Sequence, residues 1–141
     1  MIELLVVIAI IGILATIVLV SLNSARQKAR DTRRVSDIRQ VALALEMYYD
    51  DHTSSGYPAV TDCTAANWTG ELTTALAPTY VTVVPADPVN SGSNVYMYAG
   101  TATDYTLYAY LENTANSALN GDIDAATMGC TCTDPAYCLQ P

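Results

Sequence analysis

From Leu4 to Val20 the chain runs 17 residues with a single polar side chain, Thr16. A helix of that length is about 25 Å long at ~1.5 Å per residue, enough to cross the hydrocarbon core of a bilayer. A stretch this apolar has no place on the surface of a 141-residue globule, so it must find lipid or another protein chain. One carboxylate, Glu3, stands at its start. Burying a lone charge in an apolar setting is costly, so Glu3 calls for a partner. A cleaved signal sequence has a basic start and a small-residue cleavage site, and residues 1–25 have neither.

Charge is segregated along the chain. All six basic residues lie between positions 26 and 39: Arg26, Lys28, Arg30, Arg33, Arg34 and Arg39. Against the three acids of residues 1–39 they leave +3, and the other eleven acids put −11 on residues 40–141, for a total of −8. The chain therefore divides into an apolar helix over 1–25, an amphipathic continuation with a basic collar over 26–52, and an acidic head over 53–141. The collar suits anionic lipid headgroups or the acidic surface of a neighbouring copy. A head without Lys or Arg is a poor partner for nucleic acid, whose affinity is dominated by phosphate contacts.

No proline precedes Pro58. Val35, Ile38, Val41, Ala42, Leu45, Tyr48 and Tyr49 recur at i, i+3, i+4 and i+7, so the spacing predicts one helix from Ile2 to about Asp51, roughly 75 Å long. Arg33, Arg34, Asp37, Gln40 and Asp51 are assigned to the opposite face, where single ion pairs are worth little. The helix is expected to end in the polar run Asp50 to Pro58. Beyond it, Leu72–Leu76 reads as a helical turn and Tyr80–Val84 as a short extended piece. Val95–Ala99 and Asp104–Leu111 read as two strands joined across Gly100, with the alternation of a half-buried sheet. The expected fold is α+β: a long N-terminal helix whose second half packs on a small antiparallel sheet. Ten tyrosines and no phenylalanine make tyrosine the default core filler.

Cys63, Cys130, Cys132 and Cys138 make an even set in an acidic domain this small, which favours two disulfides. A bond between Cys130 and Cys132 is disfavoured geometrically, which leaves Cys63 with either of them and Cys138 with the other. The C-x-C-x5-C spacing fits zinc patterns poorly. Asn67-Trp68-Thr69 has the pattern of a glycosylation sequon, which makes Asn67 a candidate site on a surface loop, although in a chain rich in Asn and Thr chance favours such a match. His52, the sole histidine, has no nucleophile or second ligand near it in sequence and reads as a helix-end residue. No acid–base or nucleophile constellation points to an enzyme.

The segment Met1-Ile2-Glu3-Leu4-Leu5-Val6-Val7-Ile8-Ala9-Ile10-Ile11-Gly12-Ile13-Leu14-Ala15 resembles the mature N-terminus of type IV pilins and of their relatives, the type II secretion pseudopilins. Tyr48-Tyr49-Asp50-Asp51 with Gly56-Tyr57-Pro58 is similar to the helix exit of that family. Tyr80 to Pro88, Tyr96-Met97-Tyr98 and Tyr105-Thr106-Leu107 resemble the loop and sheet of the major pseudopilin. In the family the glutamate lies four residues beyond a methylated phenylalanine. Here it lies two beyond Met1, so Met1 is expected to be internal to the usual segment, with a leader and a Phe-Thr pair before it. The resemblance is dense over 1–25, thinner to about 58 and patchy after that.

The resemblance implies a pilin-like subunit cut by a prepilin peptidase, held in the cytoplasmic membrane with its N-terminus inside, and lifted by an assembly platform into an extracellular helical filament of identical copies. Basic residues after the apolar run would by themselves stay inside, and basic residues in a leader would restore the implied orientation. It further implies that Glu3 neutralises a neighbour's N-terminal amine and that Leu4, Ile8 and Ile11 pack between copies; Gly12, which costs about 1 kcal/mol relative to Ala in a helix interior, is the expected weak point of the rod in assembly. A pilus serving adhesion, motility or uptake is the first expectation, a major pseudopilin the second, and a membrane-anchored monomeric binding domain the third. Major pseudopilins have a calcium loop near the C-terminus. Its nearest match is Asn120-Gly121-Asp122-Ile123-Asp124, with Asp122 and Asp124 as candidate ligands; no other cofactor is expected.

Overall fold

The computed structural model describes residues 1–141, the side chain of Val20 excepted. Helix α1 spans Ile2–Asp51 without a break. Its second half lies on a four-stranded antiparallel sheet of order β1-β2-β3-β4, formed by Val60–Thr64, Met97–Gly100, Tyr105–Tyr110 and Ala136–Leu139. Between β1 and β2 the chain makes three contiguous helical pieces: α2 (Ala65–Asn67), a π-helical turn (Trp68–Leu72) and α3 (Thr73–Leu76). A 3-10 turn, Ser117–Gly121, precedes the C-terminal segment.

The helix stops where the sequence stops supporting it. The backbone N–H of His52 still donates to Tyr48, and the N–H of Gly56 then folds back onto the His52 carbonyl at 2.7 Å. Gly56 has φ of +73°, and a Cβ there would lie 1.7 Å from the Ala102 carbonyl oxygen. Only glycine lets the chain make this turn and dock against the β2–β3 loop.

The sheet has two dressed faces. One packs on α1: Ile38, Val41 and Leu45 are fully buried against Tyr98, Leu107 and Ala109. The other carries a smaller cluster of Ala99, Cys130, Cys132 and Cys138, with Ile123 and Met128 against it. Leu107 and Ala109 face the helix while Tyr108 faces the second cluster, the period of two that a strand dictates. The stretch from Asp122 to Cys130 runs across this outer face. At β4 the N–H of Ile123 donates to the Cys138 carbonyl, and at β1 Cys130 is bonded to Cys63. The strap thereby shields edges that would otherwise offer unpaired backbone. The second bond joins Cys132 to Cys138.

Helix length, the β2–β3 pair and the helical turn at Leu76 match the sequence reading. Tyr80–Val84 does not form a strand; it is loop, with Val81 and Val84 turned into the core. The N–H groups of Tyr80 and Val81 both go to the Leu76 carbonyl, and beyond the loop the Trp68 indole N–H takes the Pro85 carbonyl at 2.8 Å.

Candidate functional site

Three features of the chain could carry function. The first is the rod. The 18-residue apolar window of α1 has a mean hydropathy of 3.1 and no buried residue, which makes the helix long and apolar enough to span a membrane. Leu4, Ile8 and Ile11 are 70%, 61% and 58% exposed, so nothing in the head covers them. Glu3 lies in the first turn. At Gly12 the helix continues unbroken, with open space around the missing side chain, and its carbonyl accepts from the Thr16 hydroxyl at 2.6 Å.

The second is the collar, which the fold splits in two. Arg26, Lys28, Arg33 and Arg39 are exposed. Arg30 and Arg34 instead turn to the head, and placing Arg34 on the solvent face is overturned. Its side chain is fully buried and donates through Nε to Asp87 at 2.6 Å, through Nη1 to Asp31 at 2.8 Å and to Glu112 at 2.7 Å, and through Nη2 to Asn94 at 3.2 Å. Arg30 forks onto both oxygens of Glu112. Asp31, fully buried, also accepts from the backbone N–H of Glu112 and Asn113, and Asp87 from those of Val89 and Asn90.

Two loops of the head, around Asp87 and Glu112, are thus clamped onto one turn of the helix where the rod enters. The Arg30 hydrogen bond, working against burial and helped by Arg34, lowers Glu112 to about 2. Burial opposes the charge of Asp87, but the Arg34 guanidinium and two backbone donors hold its carboxyl below the usual range. Burial likewise works against charged Arg34, and its carboxylate partners outweigh it and raise its pKa. Ion pairing here is far from the weak surface kind, because the fork geometry of Arg meets several carboxylates out of water.

The third is the C-terminal strap. Oxygens of Asp122, Asp124 and Asp134 converge to within 4.8 Å of one another. Oδ2 of Asp122 accepts the backbone N–H of Cys138 at 2.9 Å, while its Oδ1 is buried without a hydrogen-bond partner. Burial pushes the Asp122 carboxyl up, and nearby Asp124 adds to this. Hard oxygen donors around an orphaned carboxylate oxygen fit a calcium ion. Asp134, the third carboxylate, is brought in by the fold and has no place in the local Asp122–Asp124 pattern.

Asn67 is half-buried, with its side-chain amide committed to the Asp62 carbonyl and the Thr69 hydroxyl to that of Ala65, so the sequon is folded into a helical turn. His52 stacks on Tyr48 with ring centroids 4.0 Å apart. A broad groove of about 780 Å³ beside β1 is lined by Asp62, Glu71, Asn67 and Met128. The chain matches no known protein family, no curated protein and no solved structure.

Proposed function

We propose that this chain is the major structural subunit of a type IV pilus-like filament, a building block and not an enzyme. The observation that carries the reading is the uncovered rod, an apolar helix continuous with the helix that forms the spine of a disulfide-bonded head. In this reading the prepilin waits in the cytoplasmic membrane, N-terminus inside, after a prepilin peptidase has cut it. An assembly platform then moves the rods from lipid into a bundle outside the cell. Lipid and bundle are similarly apolar, so packing and polar pairing select the register. Glu3 supplies that pairing against a neighbour's terminal amine, a buried charge that is tolerated only when correctly met.

Shearing cells, pelleting the released material and examining it by electron microscopy with mass spectrometry tests the proposal. Fibres containing this chain are the expected result, and their absence from both sheared material and envelope preparations overturns it. Glu3→Val is expected to insert in the membrane yet assemble few fibres; normal yield would remove the register role.

The convergence of Asp122, Asp124 and Asp134 favours a second reading, the major pseudopilin of a secretion system, with calcium holding the strap. Short filaments confined to the envelope would support it over a surface pilus.

A further inference from the structure

The first bases after the rod, Arg26 and Lys28, are exposed and, among the described residues, take part in no ion pair. They stand about 6 and 9 Å along the helix beyond Leu22, the last large apolar side chain of the rod. A bilayer of about 40–45 Å holds a hydrocarbon core of about 30 Å, so each headgroup layer is about 5–8 Å deep. A rod seated in hydrocarbon therefore brings Arg26 to the lipid phosphates, and the flexible stem of Lys28 reaches back to the same depth. Two residues apart on a helix, the two side chains leave on nearly opposite sides, about 160° apart, and so reach separate lipids.

The head begins at this height, where the Gln27 amide donates to the Glu112 carbonyl at 2.6 Å. The acids at this end, Asp31, Asp87 and Glu112, are all bonded to Arg34, and Glu112 to Arg30 as well. The loops beside them, 88–95 and 113–121, contain no charged residue. Acids of the head without a basic partner stand elsewhere. Glu46, Asp50 and Asp51 lie about 27 Å or more beyond Lys28, and Asp104 is in the β2–β3 loop that docks at that far end. Asp62 and Glu71 border the groove that the same loop lines. Asp122, which bonds the Cys138 N–H, lies with Asp124 and Asp134 on the sheet face turned away from the helix.

An acidic head thus presents, at the end joined to the rod, two free bases and no free acid. We infer that this end is a docking surface for anionic phospholipid, with Arg26 and Lys28 on the headgroup phosphates of the leaflet next to the head. The inference rests on the membrane stage of the filament reading and adds to it the class of lipid that holds the waiting subunit. The clamp takes part indirectly: by consuming Asp31, Asp87 and Glu112 it removes the carboxylates that would repel such a surface.

The full-length chain in lipid nanodiscs, one copy per disc, provides the test, with spin-labelled phosphatidylglycerol and phosphatidylcholine as probes. A base near an anionic surface strengthens attraction by about fivefold, so phosphatidylglycerol is expected to be preferred about fivefold at low salt. The preference should fall to within about 1.5-fold of none at 1 M salt, where the screening length is about 3 Å. Arg26→Gln/Lys28→Gln should abolish it, and the head should keep its two disulfides on a non-reducing gel because both side chains are exposed. Arg39→Gln should leave it unchanged, since Arg39 stands about 25 Å beyond Leu22, further than the screening length of about 10 Å at 0.1 M salt.

No preference in the unaltered chain, a preference that survives the double substitution, or an equal loss in Arg39→Gln would overturn the inference. Copies that pair through Arg26 and Lys28 in two-copy discs, without any lipid preference, would give the surface to a second chain instead. Fibres from a chain without lipid preference would overturn the lipid site alone and leave the filament reading standing. A chain that does not enter the disc would overturn the membrane stage and the lipid site with it.

Discussion

Removing the Arg34 guanidinium should cost as much as a large apolar truncation on the buried face of the helix. Arg34 and Asp31 are 0% exposed and Asp87 is 4% exposed. In Arg34→Met the apolar stem is kept, while Asp31 and Asp87 are left with backbone donors only. Breaking a buried ion pair on one side costs about 3–5 kcal/mol, against a total stability of roughly 5–15 kcal/mol for a domain. Arg34→Lys keeps a charge but cannot span Asp31, Asp87 and Glu112 from one ammonium, and should lose about 2 kcal/mol. The assay is urea unfolding of the full chain in detergent under non-reducing conditions, read by the fluorescence of Trp68. This sole tryptophan is 3% exposed and bonded to the carbonyl of Pro85, two residues from Asp87, so it reports on the clamped loop. A loss below about 1 kcal/mol for Arg34→Met, the scale of a surface pair, would refute the clamp.

Acid should loosen the same contact: Glu112 sits at about 2 when folded against an ordinary 4.5, so its contribution is complete above 4.5 and is lost as pH falls toward 2. Glu112→Gln should remove that part of the acid dependence in urea midpoints taken across the range. The two disulfides should differ, because Cys63–Cys130 closes 67 residues and Cys132–Cys138 only 6. The chain-entropy relation gives about 4 and about 2 kcal/mol, so serine replacement of the first pair should lower stability roughly twice as much. Calcium at about 100 times its dissociation constant should stabilise the head by about 2.7 kcal/mol. Calorimetry should show that binding vanish in Asp134→Asn and weaken in acid, since the raised Asp122 proton competes with the ion.

The sequence spoke clearly where one local period dominates. An unbroken helix to Asp51 follows from spacing alone, and β2 with β3 follows from alternation around a short turn. At Arg34 residue type points to solvent while position points to the core. It stands four, seven and eleven residues before Ile38, Val41 and Leu45, on the centre line of the buried stripe, and in the fold position prevails over residue type. Asp31, Asp87 and Glu112 could not be found that way, because their partnership with Arg34 is made by loops far apart in sequence. Strands β1 and β4 are short, 5 and 4 residues, and are held by partners and a strap that only the folded chain supplies. Tyr80–Val84 shows the converse error: β-branched residues served burial of single side chains in a loop, a tertiary demand that propensity does not contain.

The two halves of α1 answer to different physics, and that sets what a filament of such chains requires. Over the rod, in the proposed filament, exchanging lipid for neighbouring rods would be close to neutral, so apolar burial alone would neither drive such a chain out of a membrane nor keep it out. The head half has already buried its stripe against the sheet and has little apolar area left for a neighbour beyond Leu43, Met47 and the groove beside them. Binding selectivity must then come from where charges are set along the helix, and the clamp matters because it consumes two of the six bases. With Arg30 and Arg34 paired internally, the four exposed ones are Arg26, Lys28, Arg33 and Arg39, of which Arg33 itself leans on Asp37 at 3.6 Å. A collar of six free bases would attract an acidic head at many heights. Fewer free bases leave fewer attractive heights, which is the property a regular filament needs.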